Sequence, residues 1–153
     1  MCISFDIDGT LIVPGTSIEN GILPASLQRQ LVWPLRPGMR PLARQLRRHG
    51  YKIWIYTSSG RSLLQIRLWL LTYGIAVDGV VNDQLHREAL ASHSFDRLPS
   101  KYPPAFGIDL HVDDSEGVRM EGNEHGFRVV VVSPDDKNWI DKVLAAAATT
   151  TDK

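Results

Sequence analysis

The chain has 153 residues, enough for one domain around a single sizeable core, and its 43% hydrophobic and 22% charged residues exclude a disordered or fibrous protein. Lys+Arg and Asp+Glu number 17 each, so no global positive field exists to hold extended nucleic acid or a membrane surface. The lone cysteine, Cys2, closes no internal disulfide, and no apolar run reaches the ~18 residues of a membrane span, so a cytoplasmic setting without a secretory leader is expected.

Residues 2–7 read as a short apolar strand that runs into acidic residues and Gly9, with Cys2 packed inside it rather than reactive. From 12 to 37 the chain is rich in Gly and Pro and reads as loops with a short helical stretch at 24–32. Residues 37–50 read as a helix: Met39, Leu42, Ala43 and Leu46 recur at helical spacing, the five arginines between Arg36 and Arg48 form a solvated face, and Gly50 stops it. Residues 51–57 are a β-branched and aromatic run, hence a second strand. Residues 62–73 repeat Leu63, Leu64, Ile66, Leu70 and Leu71 as a second helix, ended by Gly74. Short strands are expected at 75–81, 108–112 and 127–132. A last helix is expected over 134–148, with Asp135 and Asp136 near its start, where negative charge complements the helix dipole. Strands alternating with helices in this way predict one α/β domain, with a mainly parallel sheet covered on both faces.

In an open parallel sheet, ligands bind beyond the carboxyl ends of the strands. Those ends carry Asp6 and Asp8, Thr57 and Ser58, and Asp113 and Asp114. Four carboxylates meeting without partners repel, and a hard divalent cation with oxygen ligands resolves the conflict. Magnesium suits the pattern, since it neutralises phosphate oxygens during phosphoryl transfer. Beside it, Asp6 has the position of a carboxylate that attacks phosphorus, and Asp8, two residues on, that of a general acid and then base at the leaving oxygen. His86, His93, His111 and His125 lack metal-ligand spacing and read as surface or loop residues, while Trp33, Trp54, Trp69 and Trp139 read as core. Gly60 and Arg61 read equally as substrate contacts or as the start of the following helix.

The segment Asp6-Ile7-Asp8-Gly9-Thr10-Leu11 resembles the first motif of the haloacid-dehalogenase (HAD) superfamily of phosphohydrolases. The resemblance extends along most of the chain, to a hydroxyl residue ending the second strand, Thr57, a basic residue before the fourth, Lys101, and the acidic pair Asp113-Asp114 after it. It implies a Rossmann-like three-layer α/β/α sandwich, with Asp6 as nucleophile, Asp8 as acid/base, Thr57 as hydrogen-bond donor to the phosphoryl group and Lys101 as charge stabiliser. Ser58 competes with Thr57 for its role, and Arg87 and Arg97 compete with Lys101. Magnesium would be held by the Asp6 carboxylate, the Asp8 backbone carbonyl and Asp113, with Asp114 assisting.

Members of the family often insert a cap domain after the first motif or between the second and third strands, and neither interval has room for one here, so a capless member with an open site is implied. The missing wall would then come from a large substrate or a neighbouring subunit of a homo-oligomer. A small phosphometabolite or the phosphorylated end of a macromolecule both fit. Two other readings stand beside a phosphatase: a receiver domain of the response-regulator kind, which also gathers acids, a hydroxyl and a lysine around magnesium, and a catalytically silent binding protein on the same fold.

Overall fold

Parallel strands covered on both faces are runs of apolar residues rather than alternating ones, and three of the five strands here have that character, while Ser4 interrupts the first and His111 the fourth. They are β1 (Cys2–Phe5), β2 (Lys52–Tyr56), β3 (Gly79–Val81), β4 (Leu110–Asp113) and β5 (Val129–Val131). The computed structural model, which describes residues 1–15, 19, 21–24, 26, 27 and 33–150, pairs them all in parallel in the order β3-β2-β1-β4-β5. A receiver domain has the flavodoxin-like order 2-1-3-4-5, so that reading is excluded by topology.

Helices α1 (Met39–Arg48), α2 (Leu63–Leu71), α3 (Asp83–Leu90), α4 (Glu116–His125) and α5 (Trp139–Ala148) connect or follow the strands. One sheet face, formed by Ile3, Phe5, Ile53, Ile55, Leu110 and Val112, packs against α1, α2 and α5. Met39, Leu42, Ala43 and Leu46 supply the buried stripe of α1, and each fully buried leucine stabilises the fold by roughly 1.5–3 kcal/mol relative to exposure. On the opposite face a smaller apolar cluster, Cys2, Tyr56, Val81 and Ile108, meets Leu85 of α3 and Phe106 of a 3₁₀ helix (Pro103–Phe106). The same face carries Ser4, His111 and Asp113, so polarity is concentrated on one side of the sheet.

Several boundaries differ from expectation for local reasons. The strand expected over 75–81 starts only at Gly79, because the Ile75 amide turns back to Leu70 O to finish α2, and sheet bonding resumes where Asp78 N meets Ile53 O. The strand expected at 108–112 runs Leu110–Asp113, since Ile108 N closes the 3₁₀ helix on Pro103 O. The last helix begins at Trp139, not Pro134: the Asp136 carboxylate accepts from Asn138 N and Lys142, which shapes a turn ahead of the helix. Of the residues whose repeat marked the second helix, Leu64 and Leu71 are exposed, while Ile66 and Leu70 are buried together with Trp69, the last as expected. Of the five arginines expected on a solvated face, Arg36 is buried, donating to the carbonyls of Thr10, Ser133 and Asp136 beneath the Trp139 ring. Helices α3 and α4 were not expected. The helical stretch expected at 24–32 lies largely outside the described residues. Among the described residues no helix is long and apolar enough to cross a membrane.

Candidate active site

The strand order reverses direction between β1 and β4, and a crevice opens at the carboxyl ends of strands flanking such a switch point. Asp6 follows β1 there and Asp113 ends β4, with the Asp6 amide donating to Val112 O at 2.9 Å to keep the two strand ends in step. Thr57 follows β2 on the other side of Asp6, its amide on Val81 O. A cavity of about 310 Å³ at this edge is lined by Asp6, Asp8, Thr57, Ser58, Lys101 and Asp113, among others. Its floor is buried, whereas Asp8 and Ser58 at the rim are exposed.

Lys101 reaches this floor from a segment without regular structure. Its Nζ lies 2.9 Å from Asp6 Oδ1 and 3.4 Å from Asp113 Oδ2, with all three side chains at least nine-tenths buried. Of the three basic residues that compete for this position, Arg87 instead pairs with Asp83 at the surface, and Arg97 is exposed beside α4. The backbone on either side of Lys101 is clamped: the Pro99 carbonyl accepts from His86 Nε2 at 3.0 Å, and the Tyr102 amide donates to Tyr56 Oη at 2.9 Å. A carbonyl only accepts, so Nε2 carries the His86 proton and Nδ1 accepts from the Tyr56 hydroxyl at 2.6 Å. His86 is therefore a buried structural residue, correcting the expectation of a surface histidine. His111, also expected at the surface, is fully buried between Ser4 and Asp113.

The four expected carboxylates do not all converge. Asp6, Asp113 and Asp114 each offer an oxygen within 4.8 Å of the others, while the Asp8 side chain turns out to a bidentate pair with Arg61 at 2.7 and 3.0 Å. Arg61, whose guanidinium also lies 4.8 Å above the Trp33 ring, is the partner that sequence spacing left unassigned. Asp114 sits against the turn after β1: Gly9 has φ +85°, and a Cβ there would fall 2.3 Å from Asp114 Oδ2, so any side chain is strained and has to displace the Asp114 carboxylate. The Thr57 hydroxyl is buried and engaged locally, 3.1 Å from Ser59 N, and Ser62, not Thr57 or Ser58, caps α2 by accepting from Gln65 N.

Charge is unevenly settled on this floor. Burial raises Asp6 to about 6, with the Asp113 carboxylate adding to the shift and Lys101 opposing it. Burial also raises Asp114, again helped by Asp113. For Asp113 burial is overcome by the His111 hydrogen bond, the Lys101 charge and the Ser115 amide, which hold it at about 2. Burial lowers His111, favouring its neutral form. Two of three clustered carboxylates are thus poorly compensated by the protein itself, and an all-oxygen donor set of this kind fits a hard divalent ion such as magnesium.

No protein-family model and no curated protein matches the chain. Solved structures do match it. An uncharacterized protein from Corynebacterium glutamicum ATCC 13032 Kitasato superposes with a TM-score of 0.54 at 18% identity, covering 98% of this chain and 94% of that one. A predicted HAD-like family hydrolase from Porphyromonas gingivalis superposes at 0.51 and 14% identity, covering 95% and 97%. A chain of the Pnkp1/Rnl/Hen1 RNA repair complex gives 0.50 and 17%, with 86% of this chain matched to 42% of that one. At these identities the likeness is one of fold: the chain has the HAD-like fold, with no cap domain among the described residues.

Proposed function

We propose that the chain is a magnesium-dependent phosphatase that hydrolyses a phosphate monoester through an aspartyl-phosphate on Asp6. The observation that carries this reading is the buried Lys101 held between Asp6 and Asp113 on the floor of an accessible cavity, beside a third carboxylate, Asp114. Asp6, Asp113 and Asp114, with the Asp8 backbone carbonyl that the resemblance implies, would hold the ion. When bound, magnesium would supply charge neutralisation to the phosphate oxygens. Lys101 adds a fixed positive charge beside the nucleophile, which favours the ionised Asp6 needed for attack.

In the first step a carboxylate oxygen of Asp6 bonds to phosphorus while the ester oxygen leaves and takes a proton from Asp8. In the second, Asp8 accepts a proton from water as that water attacks phosphorus, releasing phosphate and restoring Asp6. Asp8 has to turn from Arg61 toward the cavity for both transfers, and the exposure of its side chain leaves it room to do so. Thr57 and Ser58 line the cavity where hydroxyl or amide donors would meet phosphate oxygens. With no cap domain over the rim among the described residues, a small phosphometabolite and the phosphorylated end of a macromolecule are both sterically admissible.

The test is a magnesium-dependent screen of small phosphate esters, phosphopeptides and 3′- or 5′-phosphorylated oligonucleotides, run beside Asp6→Asn. Release of phosphate from at least one class is expected, with loss of turnover and of any acid-stable phospho-protein in the variant. Equal rates with and without Asp6 would remove it as nucleophile, and a clean negative across all classes with magnesium bound would favour a silent binding protein.

A further inference from the structure

Ser4 and His111 are polar residues in the middle of β1 and β4, and the strand register sets them opposite each other. Both are fully buried, 0% exposed, on the sheet face beneath Asp6 and Asp113. Ser4 Oγ lies 2.7 Å from His111 Nδ1, and His111 Nε2 lies 3.0 Å from Asp113 Oδ2. Burying two polar groups where an apolar pair would fill the space costs stability unless each is satisfied, and here each is satisfied by the other and by the carboxylate.

The hydrogen-bond roles follow from donor chemistry. An ionised carboxylate only accepts, so the ring proton is on Nε2; a neutral imidazole then has a bare Nδ1, and the Ser4 hydroxyl donates to it. Asp113 has about four acceptor directions. On Oδ2 they are taken by His111 and Lys101, and on Oδ1 one is taken by the Ser115 amide at 2.9 Å. A single lone pair on Oδ1 is left. We infer that His111, oriented by Ser4, is a positioning residue: it fixes the rotation of the Asp113 carboxylate so that one defined oxygen is presented to a divalent cation.

This inference rests on the reading of Asp113 as a metal ligand, and the experiment separates the two. Magnesium affinity is measured by calorimetry on the metal-free chain for wild type, His111→Phe, which keeps the ring volume without a donor, and His111→Gln, whose amide reaches where Nε2 stood. Folding of each is checked by circular dichroism and melting. Loss of an outer hydrogen-bond partner typically weakens metal binding ~10–100-fold. That loss is expected for His111→Phe, with His111→Gln staying within a few-fold of wild type. Equal affinity of folded His111→Phe and wild type would overturn the inference, because the ring would then only fill space. Should His111→Phe not fold, His111→Asn replaces it: its shorter amide keeps Ser4 but falls short of Asp113, so Asn and Gln variants of equal affinity overturn the inference as well. Ring nitrogen NMR gives a second readout, with protonated Nε2 and bare Nδ1 expected and the reverse tautomer contradicting the proposed chain. A wild-type chain that binds no magnesium would instead take away the metal-dependent reading itself.

Discussion

At the scale of single residues, Asp6 carries a measurable electrostatic cost. Its pKa is raised in the folded chain to about 6 by burial and by Asp113. The folded state therefore holds the proton more tightly than the unfolded one, and this residue's contribution to stability is present below its unfolded pKa near 4 and lost as pH rises through about 6. In chelator, the ionised group costs roughly 3 kcal/mol at pH 7.5 and about 1 kcal/mol at pH 4.5. Asp113, depressed to about 2, acts in the opposite sense: its contribution is present above its unfolded pKa near 4 and is lost as pH falls from there through about 2. Asp6→Asn removes the Asp6 term while keeping an acceptor for Lys101. With roughly 2–4 °C of Tm per kcal/mol for a chain of this size, the variant's gain in Tm over wild type is expected to be about 4–8 °C larger at pH 7.5 than at pH 4.5. A Tm difference that does not change with pH would mean that Asp6 is not destabilised by its surroundings.

At the scale of elements, the turn after β1 does more than reverse the chain. Ile7 O accepts from the amides of Leu11 and Ile12, and Gly9 donates back to Ile12 O, which presents a Cβ-free surface to Asp114. Gly9→Ala forces a side chain into positive φ, at about 1–2 kcal/mol, and drives the Asp114 carboxylate aside. A Tm lowered by a few degrees and weaker magnesium binding are expected, and unchanged calorimetric affinity would show that Asp114 contributes nothing to the ion. This turn was legible because Asp-x-Asp-Gly sits where an apolar strand stops. Helices α1 and α2 were legible from helical spacing and from Gly50 and Gly74. Helices α3 and α4 were not: α4 buries only Val118 and Gly122, so it has almost no apolar stripe. Its start was visible in principle, since Ser115 caps it through Val118 N as Asn82 caps α3 through Leu85 N. The same limit applies to the site. Asp6 and Asp113 stand out by type and position, whereas Lys101 came only with the resemblance and beside Arg87 and Arg97; the Ser4–His111 pair follows from strand register, and the Tyr56–His86 clamp and the Arg61–Asp8 pair from folding, none of which a linear pattern encodes.

At the scale of the whole molecule, the floor of the site joins parts of the chain that are far apart in sequence. Asp6 and Lys101 are separated by 95 positions, and the sheet brings β1 and β4 together across a similar span. An unfolded chain cannot hold three carboxylate oxygens within 4.8 Å, so a cation at this cluster binds the folded state and stabilises all of it at once. At a free magnesium concentration of 100 times Kd the gain is about 2.7 kcal/mol, which for a chain of this length is a rise of roughly 5–10 °C in Tm. The rise should grow with the logarithm of magnesium concentration, reverse on chelation, and exceed that from sodium chloride at matched ionic strength, since equal numbers of acidic and basic residues leave little net repulsion for salt to screen. Removing the proposed central ligand isolates the specific part: Asp113→Ala deletes the carboxylate that His111, Lys101 and Ser115 contact, and its Tm should be insensitive to magnesium while remaining measurable in chelator. A melting series on both chains decides the matter, because parallel rises in wild type and Asp113→Ala would place the ion somewhere other than the crevice between β1 and β4.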